Sequence, residues 1–254
     1  MKKQLYFTLV LSAIALTSSA QSIAQVLTPY TFGTMRAREI GPATSSGRVT
    51  AIEALYLNTE KGKNEKRLTI YVGSAAGGIF KSKDNGTTFK EIFNKEKYQS
   101  IGCMALDPRH QDSVLWVGTG ESNVRNSVSI GGGIYKTTDA GETWKHLGLE
   151  NVERIAKIAL NPKNPDIALV AGLGALWGDS EHRGLYRTTD GGKTFEKVLY
   201  IDNKTGCADI AIDPENPNIC YAAMWQFRRK AWTFNSGGPG SGFYKSTDAG
   251  KTWN

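Results

Sequence analysis

The sequence has few of the residues that cross-link chains or bind metals. Its 254 residues include three cysteines and three histidines. Three cysteines do not make a disulfide framework, and we expect all three thiols to be free and mostly buried. The histidines are far apart, and no His-x-x-x-His or Cys-x-x-Cys pair exists, so no metal site is predicted. Two Gly-Lys-Thr triplets, at 192–194 and 250–252, lack the upstream glycine of a phosphate-binding loop. We therefore expect no cofactor.

Blocks of like charge, helical periodicity and long apolar runs are also missing. The chain has 31 basic and 24 acidic residues, a formal net charge of +7, but these charges are scattered. A nucleic-acid partner would favour clustered Lys and Arg, so none is predicted. The longest apolar run, 5–16, is shorter than the roughly 20 residues that span a bilayer. No membrane span is expected in the mature chain.

The first twenty residues have the pattern of a secretory signal peptide. Lys2 and Lys3 precede the apolar run, and small residues follow it. We predict cleavage after Ala20, with Ala24 as the alternative. The mature chain would keep 29 basic and 24 acidic residues, a net charge of +5. The expected location is periplasmic, cell-surface or extracellular, and 21–47 is expected to be an N-terminal segment leading into the first repeat.

An eight-residue pattern, [ST]-x-D-x-G-x-T-[FW], occurs four times. The copies lie at 82–89, 137–144, 188–195 and 246–253. Their aspartates are 55, 51 and 58 residues apart, and each copy follows a glycine and a short apolar or aromatic strand signal. Such spacing predicts a structural unit of 50 to 60 residues that repeats along the chain.

Each copy is predicted to form a tight hairpin turn. The aspartate can accept hydrogen bonds from backbone N–H groups two residues on, and the glycine supplies a positive φ without steric cost. We therefore assign a structural role, and no catalytic role, to the Asp and Gly of each copy: Asp84, Gly86, Asp139, Gly141, Asp190, Gly192, Asp248 and Gly250.

A second element repeats in phase with the first. Apolar stretches at 101–106, 155–160 and 207–212 each end in Asp-Pro or Asn-Pro, which cannot continue a strand. A further apolar strand follows each, so every unit holds four strands. Four antiparallel strands per repeat predict an all-β fold, a β-propeller of about four blades over 48–254. A β-sandwich is the alternative. Because the chain ends at Asn254, inside the hairpin of the fourth copy, we expect an incomplete propeller, a fragment of a larger one.

The four copies resemble Asp-box, or BNR, repeats. Such repeats occur in sialidases, two-propeller xyloglucanases, sortilin-type receptors and photosystem assembly factors. Between the boxes, 40–42, 118–121, 175–178 and 224–229 are similar to large exported bacterial proteins described as sortilin N-terminal-like or BNR-repeat glycosyl-hydrolase-like. The resemblance implies a propeller. It leaves the function open, because these hosts include enzymes, receptors and assembly factors.

Blade topology places the connections between second and third strands on the face opposite the boxes, together with the connections from one blade to the next. These second-to-third connections are predicted to be long loops in blades two, three and four, at 118–132, 172–183 and 224–241. Long polar loops on a rigid scaffold commonly bind ligands. Trp suits sugar rings or peptide side chains, and Arg suits carboxylates. The ligand-binding candidates are Trp177, Arg183, Trp225, Arg228, Arg229 and Trp232, with Arg48 and Arg154 near the central funnel. The alternative is that Trp177 and Trp225 pack the loops, and that the two funnel arginines hold loop carbonyls.

Three functions remain open. The first is a binding module for a glycan, peptide or protein. The second is a glycoside hydrolase or part of one, which needs two carboxyl groups; Glu121, Asp179 and Glu181 are the acidic residues of the long loops. The third is an inert fragment. Whether the chain is an enzyme is not decided by its sequence.

Overall fold

The computed structural model describes residues 48–58, 66–110 and 112–254. Sixteen strands form four sheets. The first contains β1 (Val49–Asn58), β2 (Lys66–Ser74), β3 (Ile79–Ser82) and β4 (Lys90–Glu91). The second contains β5 (Ile101–Leu106), β6 (Leu115–Thr119), β7 (Ile134–Thr137) and β8 (Lys145–Gly148). The third contains β9 (Ile155–Leu160), β10 (Ala168–Gly172), β11 (Gly184–Thr188) and β12 (Glu196–Leu199). The fourth contains β13 (Thr205–Ile212), β14 (Cys220–Lys230), β15 (Thr233–Ser236) and β16 (Gly242–Ser246).

The all-β propeller prediction is confirmed. In the first three sheets each strand pairs antiparallel with the next strand of the chain. The described residues contain two three-residue 3₁₀ turns, Pro108–His110 and Glu150–Val152, and no α-helix. Within the same residues, no helix is long and apolar enough to cross a membrane. We call the four sheets blades one to four.

Blade four departs from the simple pattern. The first half of β14 pairs with β13 and with β16, as in the other blades. Its second half runs on beyond the blade and pairs with β15, from Phe227 opposite Ser236 to Lys230 opposite Thr233. The segment that the sequence predicted as a loop over 224–241 is therefore mostly a β-hairpin, which we call the blade-four hairpin.

Apolar cores lie between successive blades. Tyr71 and Ile79 of blade one pack with Met104 and Tyr135 of blade two. A second cluster joins blades two and three, and a third joins blades three and four. Each blade therefore has a preceding face, which packs on the blade before it, and a following face, which packs on the blade after it. Alternation along each strand sends neighbouring side chains to opposite faces, so both faces of an inner blade are apolar.

All four boxes form the same type of hairpin turn. In the second, Asp139 Oδ1 accepts hydrogen bonds from Thr137 Oγ1 at 2.7 Å and from the Thr143 backbone N–H at 2.9 Å, and Oδ2 accepts from Thr143 Oγ1 at 2.5 Å. The backbone donor lies four residues on, and the expected bond to the residue two positions on is not the one formed. The residue after each aspartate also has a positive φ, which is 63° at Ala140.

The same turns join neighbouring blades. A basic residue at one position of the third strand donates to the carbonyl of the residue after the box aspartate in the next blade, a contact we call the inter-blade latch. Its three examples are Lys81 Nζ to Ala140 O at 3.1 Å, Lys136 Nζ to Gly191 O at 3.2 Å, and Arg187 Nε to Ala249 O at 2.9 Å. The repeat motif thus determines how neighbouring blades pack as well as the conformation of the hairpin turn within each blade.

Cys103, Cys207 and Cys220 are free and buried, as predicted. Cys220 lies opposite Ile212 in the β13–β14 pairing. The signal peptide, its two cleavage sites and the segment 21–47 lie outside the described residues, and those assignments stay predictions.

Candidate ligand-binding face

The blade-four hairpin lies over a small apolar cluster of the loop face. Leu173, Leu176 and Phe227 are buried there, and Trp225 packs against them. The Trp225 ring stacks on Phe227 with centroids 4.6 Å apart, and its Nε1 donates to Ser236 Oγ at 3.2 Å. Since its ring face and its polar atom are both engaged, Trp225 holds the hairpin in place, which is the packing alternative raised by the sequence.

Two arginines tie the hairpin to neighbouring loops. Arg228 forms an ion pair with Asp179, and its Nη1 donates to the Trp177 carbonyl at 3.2 Å. Arg229 Nε donates to Asn126 Oδ1 at 2.6 Å. Asp179 belongs to the blade-three loop and Asn126 to the blade-two loop, so the long loops of three blades converge under one hairpin. The partnership with Asn126 was not predicted, because it joins residues 103 positions apart.

Trp177 and Trp232 are the aromatic candidates that reach solvent. The Trp177 side chain is 51% exposed, and Trp232, in the hairpin turn, is 81% exposed. Lys230 Nζ lies 5.8 Å from the centre of the Trp232 ring. The Trp177 carbonyl accepts a hydrogen bond from Arg228, and Trp232 lies in the turn between the paired strands β14 and β15.

Arg183, one of the ligand-binding candidates, is buried beneath the loop face. It is 1% exposed. Its Nη1 donates to Leu173 O at 3.0 Å and its Nη2 to Ala175 O at 2.6 Å, while the guanidinium carbon lies 4.4 Å from the centre of the Phe227 ring. Burial, with a smaller effect from Arg154, lowers the pKa of Arg183 to about 10. The guanidinium stays charged at neutral pH and holds the blade-three loop from inside.

Arg48 and Glu121 form a bridge between blades one and two. Arg48 Nε donates to Glu121 Oε1 at 3.0 Å and Arg48 Nη2 to Glu121 Oε2 at 2.6 Å. The Glu121 side chain is 1% exposed and that of Arg48 is 36% exposed. A two-point arginine–carboxylate pair fixes both groups geometrically. The sequence analysis named Arg48 as a ligand candidate and Glu121 as a candidate acid, and it did not predict their pairing because they lie 73 positions apart.

Arg154 holds a loop carbonyl, the alternative role raised for it. It is 1% exposed, and its Nη1 donates to Glu153 Oε2 at 2.9 Å and to Gly174 O at 3.4 Å. Burial lowers its pKa. Glu153 has φ 66° and ψ −40°, and the Arg154 N–H donates to Val152 O at 2.8 Å. This γ-turn is a strained conformation, and it aims Arg154 into the protein.

The three candidate acids are not equivalent. Glu121 is buried beneath Arg48 and Asp179 is paired with Arg228. Glu181 is exposed, and its backbone carbonyl accepts a hydrogen bond from Lys197 Nζ. Within the described residues, no group of three or more His, Cys, Asp or Glu side chains is arranged to hold a metal ion.

Comparisons with known proteins agree with this architecture. The family model described as Sortilin-Vps10, "Sortilin, neurotensin receptor 3", matches residues 77–224. A xyloglucanase of Hypocrea jecorina is 23% identical over 207 residues, which are 72% of this chain and 23% of that protein. The xyloglucanase Xgh74A of Acetivibrio thermocellus is 24% identical over 212 residues, 75% of this chain and 24% of that protein. The chain thus spans about a quarter of the length of these curated relatives.

Among solved structures, an ancestral GH74 enzyme superposes with a TM-score of 0.54 at 18% identity. The match covers 82% of this chain and 24% of that enzyme. At this identity the likeness concerns the fold, and it agrees with the blades described above. The match to the family model covers more than half of the chain, and the chain therefore belongs to the Sortilin-Vps10 family.

Proposed function

We propose that the loop face of blades two to four binds an extended polysaccharide chain, with Trp177 and Trp232 as its aromatic contacts. The observation that carries the proposal is the exposure of these two indoles, 51% and 81%, on loops that are otherwise tied down. An indole presents a flat apolar surface on which the C–H face of a sugar ring can pack. The names of the xyloglucanase relatives favour a glycan over a peptide.

The Arg228–Asp179 pair gives the proposed site its polar part. It lies directly beside Trp177, because Arg228 also donates to the Trp177 carbonyl. Both side chains are partly exposed, 28% for Arg228 and 38% for Asp179, so each keeps hydrogen-bonding capacity for sugar hydroxyls. The rigid pairing reduces the entropy lost on binding.

Binding without hydrolysis is the function that the geometry favours. Hydrolysis of a glycosidic bond needs two carboxyl groups across the scissile bond. Of the three candidate acids, Glu121 is buried in an ion pair and Asp179 is held by Arg228. The alternative is that the chain is part of a glycoside hydrolase, with Asp179 and Glu181 contributing. The names of the relatives favour this alternative, although the chain covers about a quarter of them.

Isothermal titration with soluble xyloglucan oligosaccharides tests the proposal. Replacing Trp177 or Trp232 with Ala is expected to weaken binding by about 1–3 kcal/mol, typical of an anchoring residue, or roughly five- to 150-fold in Kd. Phe89→Ala is the matched control, since Phe89 is an exposed aromatic (40%) on the box face. Equal affinities for the wild type and both tryptophan variants would place the site elsewhere.

Two further measurements distinguish glycan binding from hydrolysis and from the binding of a peptide or protein. Release of reducing ends that disappears in Glu181→Gln would favour the hydrolase. Binding of acidic peptides, and not of glycans, by the wild type would favour a peptide or protein partner.

We also propose that the chain acts outside the cytoplasm. The proposal rests on the basic start, the apolar run and the small residues of its first twenty positions.

A further inference from the structure

The blade-four hairpin carries positive charge that its surroundings do not neutralise. Its segment, 224–241, contains Arg228, Arg229 and Lys230 and no acidic residue. Asp179 pairs with Arg228. Among the described residues, neither Arg229 nor Lys230 lies within ion-pair distance of a carboxylate. A local excess of one sign of charge attracts ligands of the opposite sign.

Arg229 is held in place by a neutral side chain. Its Nε donates to Asn126 Oδ1 at 2.6 Å, and its guanidinium carbon lies 5.3 Å from the centre of the Phe234 ring. That hydrogen bond is the one its guanidinium makes to the described residues, so the edge formed by Nη1 and Nη2 keeps its donors. Two parallel N–H groups on a planar fork match the two oxygens of a carboxylate. Arg229 is thus positioned by the protein and not neutralised by it.

A second excess of positive charge lies next to Asn126, on the blade-two loop. The Arg125 side chain is 43% exposed, and its Nε lies 4.0 Å from Glu121 Oε1. Both oxygens of Glu121 already accept hydrogen bonds from Arg48. One buried carboxylate therefore faces two guanidinium groups, and the three side chains together keep a net positive charge.

Lys230 brings a further positive charge to one of the proposed sugar contacts. It is exposed, and its Nζ lies 5.8 Å from the centre of the Trp232 ring. The exposed acid of these connections, Glu181, is accompanied by Lys197, whose Nζ donates to the Glu181 carbonyl. We call Arg125, Arg229 and Lys230 the cationic rim.

We propose that the polysaccharide bound by the loop face is acidic, and that the cationic rim binds its carboxylate or sulfate groups. This inference rests on the proposed function, in which Trp177 and Trp232 contact the sugar rings. A sugar ring packed on the Trp232 indole would place an acidic substituent within reach of Lys230. Attraction between exposed charges is screened by salt, so the preference for acidic chains is expected to depend on ionic strength.

Isothermal titration with oligosaccharides of different charge tests the proposal. Oligogalacturonides carry carboxylates, carrageenan oligosaccharides carry sulfates, and xyloglucan oligosaccharides are neutral. At about 0.1 M NaCl, where the Debye length is about 10 Å, one of the two acidic ligands should bind at least about tenfold more tightly than the neutral one. At about 1 M, where that length is about 3 Å, the preference should disappear. The acidic ligand that binds more tightly identifies the group recognised.

Asn126→Asp tests the charge of Arg229 without removing its hydrogen bond. The aspartate keeps an oxygen for Arg229 Nε and supplies the missing negative partner. Asn126→Asp and Lys230→Gln should each weaken binding of the acidic ligand about two- to fivefold and leave binding of the neutral one unchanged. Lys193→Gln is the matched control, because Lys193 is an exposed lysine of the third box, on the opposite face. Circular dichroism checks the fold of each variant.

The outcomes separate this inference from the function on which it rests. Neutral and acidic ligands bound equally at low salt would overturn the inference and leave the proposed function standing. Acidic affinities that both Asn126→Asp and Lys230→Gln leave unchanged would overturn it as well. Binding of none of the oligosaccharides would refute both proposals. Binding of polyglutamate, and of no acidic oligosaccharide, would assign the cationic rim to an acidic peptide and would also overturn the inference.

Discussion

The glycine of the Asp box is predicted to serve two purposes, and substitution by alanine in two different blades separates them. Gly192 has φ 91°, and a Cβ built on it would lie 2.6 Å from Leu147 Cδ1 and 2.8 Å from Trp116 Cη2, both in the preceding blade. Gly86 has nearly the same φ, 86°, but among the described residues the atom nearest to a Cβ built on it would be Ile70 Cδ1 of its own blade, at 3.4 Å. The two positions therefore share backbone strain and differ in blade contact.

The expected magnitudes follow from these distances. An alanine held in a left-handed conformation costs roughly 1–2 kcal/mol, and this applies to Gly86→Ala and Gly192→Ala alike. A Cβ at 192 also overpacks the interface between blades two and three, which costs about 1–3 kcal/mol more. Gly192→Ala should therefore lower the free energy of unfolding by about 2–5 kcal/mol, and Gly86→Ala by about 1–2 kcal/mol.

Urea unfolding of both variants, followed by circular dichroism and tryptophan fluorescence, measures the difference. Unfolding midpoints are compared at equal m-values, so that a change in stability is not confused with a change in the surface exposed. Backbone strain is common to both variants. The difference between their losses in the free energy of unfolding therefore measures the contact with the preceding blade. Equal losses at the two positions would show that the box glycine acts through its own turn alone and would refute the interface argument.

Three other perturbations have definite expected outcomes. Hydrogen bonds from the Thr143 side chain and backbone, and from Thr137, hold the pKa of Asp139 at about 2. The contribution of this carboxylate to stability is therefore complete above its usual pKa near 4 and is lost as the pH falls towards 2. Asp139→Asn should flatten the dependence of melting temperature on pH in that range, and an unchanged dependence would contradict the assignment. Arg48→Ala should lower the melting temperature, because it removes the two-point partner of the buried Glu121 carboxylate. Adding Glu121→Gln should recover part of that loss in thermal melts, whereas additive losses would argue against the pair. Mass spectrometry of the exported chain should find Gln21 or Gln25 as its first residue, and retention of Met1 would exclude the signal peptide.

The blade fold could be predicted because its causes are local and repeated. The box pattern places Asp and Gly within three residues of each other, and the turn depends on hydrogen bonds inside an eight-residue segment, as at Asp139. The inner strands of blades two to four end at Asp-Pro or Asn-Pro, and β9, for example, spans Ile155–Leu160 as the pattern indicated. Four copies in phase reinforce one interpretation, where a single copy would leave several open.

The candidate site was predicted less well because its contacts join distant parts of the chain. The hydrogen bond from Arg229 to Asn126 and the pair of Arg48 with Glu121 connect residues 103 and 73 positions apart. Nothing local distinguishes a buried arginine that holds loop carbonyls, such as Arg183, from an exposed one that binds ligands. The blade-four hairpin was not predicted because 224–241 contains polar and glycine residues typical of loops. Its first strand is the second half of β14, which continues the strand of the blade without a break.

The residues that repeat in the blades and those that do not have different roles, and this difference limits which residues can bind a ligand. The box aspartate is engaged by its own turn, the latch residue of blades one to three by the next blade, and the box glycine of blades two to four by the preceding blade. Positions that recur in every blade are thus occupied by contacts that the propeller needs for itself. Recognition has to come from residues that occur in one blade only, and Trp177 and Trp232 are such residues, with no tryptophan in the corresponding connections of blades one and two. Because those connections can change without disturbing a box, chains with the same boxes can bind different partners on the same scaffold.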